Sequence, residues 1–399
     1  MRDTPSTTST SEATRLIHPQ GDAKAPVRTA APVLQRGTTV LHACAASFGQ
    51  TLPSYGRSGL ATHGELRQAL CDLEGGDVAE LYPSGLAALA GAILAVCRTG
   101  DEILMCDTIY GPTRRFAETT MADYGVTTRP FPASASAEEL EAMLGEKTRL
   151  IVLESPGSLT LDMIDVPAIA AMARRRGVLT LIDNTYAAGL LFKPLAHGVD
   201  ISVQAMTKYI CGHSDVFMGC AVARGEVGAL LQRGTRAIGW TISSDDAYLA
   251  LRGMKTLELR LAQHGAAALE VARWLSARPE VKSVLCPALP GAPGHEIFAR
   301  DFSGGNGLVT IELDGPLAAT PAFLDALSIF GLGFSWGGFE SLAIACNDQL
   351  EARAFEREWT RPVIRLHIGL ETTGDLIAEL DGALGAFAKA AQTLSGVPA

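Results

Sequence analysis

One lysine of this 399-residue chain stands in a sequence context that is unusual for a surface lysine. Lys208 follows the largely apolar run 201–206 and precedes Tyr209-Ile210-Cys211. In a partly desolvated pocket a lysine has a lowered pKa, and its neutral amine can form a Schiff base. The alternative is a strand-end lysine whose ammonium extends into solvent. Lys208 taken alone does not decide between the two.

Two further polar positions follow or precede apolar runs in the same way. Asp183 comes directly after one apolar run, and Ser84-Gly85 opens the apolar stretch 86–96. A helix starting there would present free backbone N–H groups and its positive dipole end to a phosphate, and Thr207 would add a hydroxyl. Taken singly, Ser84 is better explained as a plain helix N-cap, and Asp183 can simply cap the next helix.

The combination is more specific than its parts. A phosphate cradle, a Schiff-base lysine and an acid one strand away are the three requirements of pyridoxal phosphate. The acid keeps the pyridine nitrogen protonated, so that the ring can take up carbanion electrons. The sequence therefore predicts a pyridoxal 5'-phosphate site.

The elements that must position these residues alternate between short apolar runs and amphipathic helices. The runs are typical of strands buried on both faces and lie at 102–105, 150–153, 178–182 and 201–203. Strands that alternate with helices predict a parallel sheet with right-handed crossovers, and such sheets bind ligands at the carboxyl ends of their strands. Beyond residue 255 a long helical pattern at 257–278 and strand-like runs at 307–313 and 363–368 indicate a smaller α+β unit.

The chain resembles the Cys/Met-metabolism family of pyridoxal-phosphate enzymes, most closely its bacterial cystathionine β-lyase branch. The matching stretches occur in order along nearly the whole chain beyond the N-terminal tail. They are Tyr55-Gly56-Arg57, Tyr82-Pro83-Ser84-Gly85, 107–110, 153–158, 182–185, Thr207-Lys208-Tyr209, 335–341 and 364–369. The resemblance implies an aspartate-aminotransferase-like (fold type I) architecture. Its expected parts are a flexible N-terminal tail and an arm that contributes to the neighbouring subunit (1–60), a cofactor-binding domain with a large, mostly parallel sheet (61–255) and a smaller C-terminal α+β domain (256–399).

The resemblance also implies the roles of individual cofactor residues. Lys208 would hold the cofactor covalently and, once freed, move protons at the substrate Cα. Asp183 would pair with the pyridinium nitrogen, and Tyr110, the second expected catalytic residue, would stack on the ring. The phosphate would be held by Gly85, Leu86 and Thr207.

Further roles implied by the resemblance concern the substrate and a second subunit. Arg365 would bind the substrate α-carboxylate in a bidentate fork, with Ser335 and Trp336 nearby. Tyr55 and Arg57 would reach the phosphate from the neighbouring subunit, and Tyr55 would also contact the substrate. The active site therefore implies a homo-oligomer, expected to be a homotetramer of dimers that share their active sites.

The implied reaction is β-elimination of L-cystathionine to homocysteine, pyruvate and ammonia, a transsulfuration step of methionine biosynthesis. Ala205 occupies a position where γ-type members usually carry Ser, which favours the β-lyase branch. Two alternatives keep the cofactor: γ-elimination or γ-replacement, and C–S cleavage of cysteine or another S-substituted cysteine. A regulator without catalysis is the third, and the intact site residues disfavour it.

Two departures from the family pattern concern the substrate. Phe334 stands where the best-known β-lyases have Tyr, which removes a hydroxyl. Arg114-Arg115 stands where some β-lyases place an acid suited to the distal ammonium of cystathionine. An arginine there reverses the charge, unless both arginines are surface residues of a helix, which is the favoured interpretation.

Composition and charge limit the remaining functional classes. With 33 Lys and Arg against 43 Asp and Glu, the net charge of −10 argues against nucleic acid or an anionic membrane as partner. The 8 cysteines are scattered without a C-x-x-C pair, which indicates buried free thiols. The 8 histidines are isolated, so no metal site is predicted. No signal peptide or long apolar segment is apparent, and a cytoplasmic location is expected.

Overall fold

The computed structural model describes residues 11–18, 29–50, 53–355 and 358–395. Its larger sheet has seven strands in the order β1-β7-β6-β5-β4-β2-β3. All run parallel except β7, which is antiparallel to both of its neighbours. The strands are β1 (Val78–Tyr82), β2 (Glu102–Cys106), β3 (Thr127–Phe131), β4 (Thr148–Glu154), β5 (Leu179–Asp183), β6 (Ile201–Gln204) and β7 (Gly219–Ala223).

Helices cover both faces of this sheet. They are α1 (Glu12–Ile17), α2 (Ala61–Glu74), α3 (Gly85–Val96), α4 (Gly111–Glu118), α5 (Thr120–Asp123), α6 (Ala137–Met143), α7 (Val166–Arg176), α8 (Gly225–Ile238) and α9 (Ser244–Met254). The sequence of α3 is almost entirely apolar because the helix is packed between α8 and strands β6 and β7. Asp165 caps α7 by accepting a hydrogen bond from the Ala168 N–H, and Gly177 ends the helix in the left-handed conformation.

A second sheet of five strands follows, in the order β10-β11-β12-β9-β8. Its strands are β8 (Val281–Leu285), β9 (Leu308–Leu313), β10 (Gly331–Leu332), β11 (Leu342–Ala345) and β12 (Val363–His367). The accompanying helices are α10 (Leu257–Ser276), α11 (His295–Asp301), α12 (Thr320–Leu324), α13 (Asn347–Leu350) and α14 (Thr373–Ser395). Helices α10 and α14 pack against each other, and their apolar faces share a core with β9 and β12.

The predicted strand and helix positions agree closely with these bounds, and the predicted two-sheet α/β architecture is confirmed. Strands β1, β3, β7, β8, β10 and β11 were not predicted. Part of the N-terminal arm is folded, since α1 is helical and Leu16 is buried. Lys255 donates hydrogen bonds to the carbonyls of Leu16 and His18, which attaches this helix to the end of α9. The remaining tail residues, 1–10, lie outside the described residues.

The cysteines follow the prediction with one exception: all eight are free and Cys44 is exposed, while the others are buried. Among the described residues, no helix is both long enough and apolar enough to cross a membrane.

Candidate active site

Lys208 faces a cavity of about 670 Å³ at the carboxyl ends of β4, β5 and β6. Its Nζ donates a hydrogen bond of 2.9 Å to Ser335 Oγ and lies 5.2 Å from the centroid of the Trp336 ring. Burial and, to a smaller extent, the positive charge of Arg365 lower the pKa of Lys208 to about 8, against the opposing effect of Asp183. The amine is therefore far more available as a neutral group than that of a surface lysine.

Asp183 ends β5 and is 6% exposed. Its Oδ1 accepts hydrogen bonds from the backbone N–H (3.0 Å) and the hydroxyl of Thr185. Among the described residues no other group donates a hydrogen bond to this carboxylate, so Oδ2 is available to a further donor. Burial raises the pKa of Asp183, while the bonds from Thr185 and the charge of Lys208 oppose the shift.

A second carboxylate, Glu154, lies beside Asp183, since the two are paired residues at the ends of β4 and β5. Its Oε2 accepts a hydrogen bond of 2.7 Å from the Tyr110 N–H. Burial and the neighbouring Asp183 charge hold the pKa of Glu154 well above its usual value. The sequence interpretation gave Glu154 no role of its own, although it follows an apolar run just as Asp183 does.

The N-terminus of α3 approaches the end of β6 closely. Ser84 caps the helix by accepting a hydrogen bond of 3.1 Å from the Ala87 N–H, so the N-cap interpretation is correct. The N–H groups of Gly85 and Leu86 precede the first hydrogen bond of the helix and border the cavity. A Cβ at Gly85 would lie 2.4 Å from that of Ala205, so the close approach requires glycine.

Thr207 borders the same end of the cavity. Its hydroxyl donates to the Met218 carbonyl (3.2 Å) and accepts from the Met218 N–H (3.0 Å). These bonds fix the turn between β6 and β7 just before Lys208. To serve a phosphate, the hydroxyl would exchange the Met218 carbonyl for a phosphate oxygen.

Arg365 lies in β12, 6% exposed, and lines the same cavity. Its Nη2 donates to the carbonyls of Phe334 (2.9 Å) and Ser335 (3.2 Å). Its Nε is buried without a hydrogen-bond partner among the described residues. A buried guanidinium with unused donors costs free energy unless an anion completes it, so the geometry suits a carboxylate ligand.

Three aromatic side chains, those of Tyr110, Phe334 and Trp336, also line the cavity. Tyr110 is 44% exposed at the start of α4, and Phe334 is 75% exposed. Trp336 packs against Tyr209, with ring centroids 5.5 Å apart, and Tyr209 follows Lys208 in sequence. A planar ring bound in this cavity could therefore stack on the exposed ring of Tyr110.

Comparison with known proteins agrees with this geometry. A sequence profile of the family described as "Cys/Met metabolism PLP-dependent enzyme" matches residues 13–385. The chain belongs to this family. It is 43% identical to the cystathionine β-lyase MetC of Escherichia coli (strain K12), covering 82% of this chain and 84% of that protein. It is 35% identical to the cystathionine γ-lyase of Mus musculus, covering 86% and 89%.

A solved structure shows the same fold. The crystal structure of metB from Corynebacterium glutamicum superposes with a TM-score of 0.89 at 30% identity, covering 95% of this chain and 98% of that one. The predicted family, fold type, cofactor and enzyme class, a carbon–sulfur lyase, are thereby confirmed.

The residues of this family member fit pyridoxal phosphate on structural grounds. The glycine cradle at Gly85, the free Oδ2 of Asp183 and the Lys208 amine with its lowered pKa border one cavity. They offer a phosphate site, a partner for a pyridinium N–H and a nucleophile for an aldehyde.

Tyr55 and Arg57 are not brought into this cavity within the chain. The Arg57 guanidinium lies 5.4 Å from the Tyr55 ring centroid, and Arg57 lines a separate hollow together with Arg236 and Trp240. Any contact of Tyr55 and Arg57 with a cofactor would therefore occur in another copy of the chain.

The interpretation of Arg114 and Arg115 as surface residues is wrong for Arg114. Arg115 is exposed, but Arg114 is 7% exposed because it donates to the carbonyls of Asp107 and Ala352, the latter at 2.6 Å, and pairs with the Asp107 carboxylate at 3.8 Å. Arg114, in the first turn of α4, thus contacts the segment 351–355, and this contact was not apparent from the sequence.

His367 lies behind the site, as a positioning group. Its Nδ1 donates to the Glu340 carbonyl (3.0 Å), so its Nε2 accepts the Gly337 N–H (3.0 Å). Gly337 has φ +86° and lies so close to the Lys208 backbone that a Cβ would be 3.0 Å from Lys208 Cα. Among the described residues, no three His, Cys, Asp or Glu side chains form a group that could hold a metal ion.

Proposed function

We propose that this protein cleaves L-cystathionine by β-elimination, giving homocysteine, pyruvate and ammonia. The observation that carries the proposal is that the Lys208 amine, with its lowered pKa, borders the same cavity as Asp183 and Arg365. The buried Nε of Arg365 has no hydrogen-bond partner among the described residues and is available to a ligand. The β-lyase reaction is favoured over γ-elimination because identity to the curated β-lyase is higher than to the γ-lyase, 43% against 35%. Ala205 supports the same choice.

In the proposed site the cofactor would be held by residues of β5 and α3 and of the loops that follow β2 and β6. Lys208 would hold it covalently, Asp183 would pair with its ring nitrogen, and Tyr110 would stack on its ring. Gly85, Leu86 and Thr207 would bind its phosphate. When bound, pyridoxal phosphate supplies an electron sink that makes the substrate Cα–H acidic.

The substrate is oriented by Arg365 through its α-carboxylate. Binding fills the donor capacity that the Nε of Arg365 leaves unused in the described chain. The carbonyls of Phe334 and Ser335 hold the guanidinium in place, since Nη2 donates to both. This clamp fixes the Cα–H bond relative to the Lys208 amine.

Lys208 then acts as the general base at Cα. Its lowered pKa leaves a useful fraction of neutral amine near neutral pH. Ser335 Oγ, at 2.9 Å, and the Trp336 face restrict where Nζ can move. The proton taken from Cα can be passed to the departing sulfur, so that homocysteine leaves as a thiol and not as a thiolate.

The proposal includes an oligomer and a location. We propose that Tyr55 and Arg57 complete the site of a neighbouring subunit, and that the protein is a cytoplasmic homotetramer built from such dimers. The separation of Arg57 from the Lys208 cavity within one chain supports this exchange. We also propose the division into an arm at 1–60, a cofactor domain at 61–255 and a C-terminal domain at 256–399, supported by the start of α10 at Leu257.

Identifying the products decides between the candidate reactions. Incubation of the holoenzyme with L-cystathionine should give pyruvate and homocysteine in equal amounts. Cysteine with 2-oxobutyrate would instead show γ-elimination, and no turnover would direct the search to other S-substituted cysteines. The Lys208→Ala variant should lose turnover by about four orders of magnitude or more, because it removes the base and the covalent attachment together.

A further inference from the structure

The turn that follows β4 contains two residues in a backbone conformation that is rare for their type. Leu159 has φ +66° and Leu161 has φ +58°. Left-handed backbone brings the Cβ atom close to the following carbonyl oxygen, so a bulky residue there is strained. Among the described residues, four that are not glycine have a positive φ, and this turn contains two of the four. Both leucines border the Lys208 cavity.

The hydrogen bonds around Leu159 define the strained form of a three-residue turn. The Thr160 N–H donates to the Ser158 carbonyl (2.9 Å), and this bond spans Leu159 alone. With a positive φ at its central residue, the arrangement is the rare and strained γ-turn. Such conformations persist only where the surrounding structure determines them, and they concentrate at functional sites. The strain at Leu159 therefore requires contacts from outside the turn.

Two residues from the C-terminal part of the chain supply these contacts. Arg353 donates from Nη2 to the Ser158 carbonyl and from Nη1 to Thr160 Oγ1 (2.7 Å). Thr310, in β9, donates its hydroxyl to the Leu159 carbonyl. The carbonyl before Leu159 and its own carbonyl are thus both fixed in direction. Because peptide groups are planar, the orientations of these two groups determine φ and ψ of the residue between them.

Arg353 is itself held rigidly before it contacts the turn. Its side chain is 2% exposed. The residues on either side of it are attached to the end of β2 and to α4, since Ala352 accepts a hydrogen bond from Arg114 (2.6 Å) and Ala354 donates one to Asp107 (2.9 Å). A buried guanidinium on an anchored segment can impose a backbone geometry that the turn would not adopt alone.

We propose that Arg353 is a positioning residue for the reaction: by holding Leu159 in its strained conformation, it keeps the turn 157–161 in the shape that receives the substrate. The turn borders the cavity that Lys208 faces, so its relaxation would change the space that the substrate occupies. The inference rests on the proposed function for the identity of the substrate. The effect of Arg353 on the conformation of the turn is independent of that function.

The test is a double-mutant cycle between Arg353→Ala and Leu159→Gly. Glycine adopts a positive φ without strain, so the arginine has no strained residue to hold when position 159 is glycine. The leucine side chain is lost from both glycine proteins, and this loss cancels when the effect of Arg353→Ala is compared between the two backgrounds.

Two readouts are taken on each holoenzyme. Pyruvate release from L-cystathionine gives kcat and KM separately. Amide hydrogen exchange at Thr160, whose N–H closes the turn, reports the conformation of the turn without any turnover.

With leucine at position 159, Arg353→Ala should raise KM about tenfold and lower kcat less than about threefold, because the relaxed turn no longer fits the substrate. Exchange at Thr160 should become faster. With glycine at position 159, the same change should raise KM less than about threefold. Each result follows from the release of strain at one residue.

A second variant and a control complete the set. Thr310→Val removes the other hydrogen bond that holds Leu159 and changes the shape of the side chain little. It should raise KM in the same direction, again only with leucine at position 159, and it keeps the test available if Arg353→Ala does not fold. The matched control is Arg361→Ala, which removes a surface ion pair with Asp314 (3.0 Å) and should change neither KM nor the exchange at Thr160.

A fall in kcat at constant KM would overturn the inference, because it would show only a smaller fraction of folded enzyme. Equal effects of Arg353→Ala in the two backgrounds would overturn it as well, since the arginine would then not act through Leu159. The proposed function fails differently: the unmodified holoenzyme would release no pyruvate from L-cystathionine, while exchange at Thr160 would still respond to Arg353→Ala.

Discussion

At the scale of single residues, the site depends on three charged side chains that border one cavity. The positive charge of Arg365 disfavours the charged form of Lys208, and the carboxylate of Asp183 favours it. Burial lowers the pKa of Lys208 and raises that of Asp183, because the charged form of each group loses hydration in the cavity. Both shifts favour the neutral form of the side chain. The consequence is an amine that is poised for chemistry before any ligand arrives.

The pH dependence of cofactor capture should report this shift directly. Only the neutral amine attacks an aldehyde, and below its pKa the neutral fraction falls about tenfold per pH unit. Burial has moved the pKa of Lys208 from 10.5 to about 8. The capture rate of the cofactor-free protein should therefore rise with pH and level off near 8, when followed by absorbance in stopped flow. A rate that keeps rising to pH 10 would contradict the lowered pKa.

A second prediction concerns the glycine at the start of α3. In Gly85→Ala the new Cβ would lie 2.4 Å from the Ala205 Cβ and 2.9 Å from its Cα, so backbone must move. We expect a loss of about 1–3 kcal/mol in the free energy of unfolding, together with weaker cofactor binding measured by equilibrium dialysis.

The matched control is Gly382→Ala in α14, where a Cβ would meet nothing within 4 Å. There the change should leave cofactor affinity unaltered and stabilise the helix by about 0.5–1 kcal/mol. A Gly85→Ala variant with normal affinity for the cofactor would show that the close approach at Ala205 is not what shapes the cradle.

At the scale of elements, the end of β2 anchors one wall of the cavity. The Asp107 carboxylate accepts the N–H groups of Ala354 (2.9 Å) and Phe355 (3.0 Å) and pairs with Arg114. Arg114 in turn binds the Ala352 carbonyl. The carboxylate of Asp107, at the carboxyl end of β2, thereby holds the segment 351–355 that follows α13.

Replacing this carboxylate should loosen the segment. Asp107→Asn keeps the shape but weakens three charge-assisted interactions, and we expect a loss of about 2 kcal/mol in the free energy of unfolding. Amide hydrogen exchange should speed up at Ala354 and Phe355 before the strands are affected. Asp123→Asn, at an exposed end of α5, is the control and should change neither quantity. Unaltered exchange at the two amides would argue that the segment is held by other contacts.

Much of the element pattern was predictable because buried parallel strands appear as short apolar runs. Three of the six strands that escaped prediction lack this signal for identifiable reasons. Strand β3 contains Pro130 and polar residues, which only an edge strand tolerates. Strand β1 contains the buried Glu80, whose carboxylate lies 3.8 Å from Arg67, and β10 is only two residues long.

The residues of the candidate site also fall into two groups, those that local sequence predicts and those that depend on tertiary contacts. Lys208, Asp183 and the start of α3 were predictable from position, since each adjoins an apolar run. Arg365 was reached only through family resemblance, because the packing of β12 beside Lys208 is a tertiary contact between distant stretches. The burial of Arg114 was missed for the same reason: its partner Ala352 lies 238 residues further along the chain.

At the scale of the whole molecule, the proposed exchange of Tyr55 and Arg57 between subunits can be tested by mixing two defective proteins. The Lys208→Ala and Arg57→Ala variants should each be poorly active alone. When they are unfolded, mixed in equal amounts and refolded with the cofactor, half of the dimers are hybrids, and each hybrid has one intact site. We expect recovery to about a quarter of the wild-type activity by statistical assortment.

If Arg57 acted within its own chain, every site in a hybrid would carry one defect and mixing would restore nothing. Each variant refolded alone is the control for the yield of folded protein. Sedimentation velocity on the same samples shows whether hybrids have formed.

The contact between Lys208 and Trp336 also has an optical consequence. The indole ring lies 5.2 Å from the amine to which the cofactor would attach, whereas Trp274 is stacked on Arg278 far along α10. A bound chromophore that absorbs in the near ultraviolet and the violet would quench the emission of Trp336 by resonance energy transfer. The tryptophan emission of the protein would therefore report the fraction of sites that contain the cofactor. The Trp336→Phe variant would show how much of this change in emission comes from Trp336.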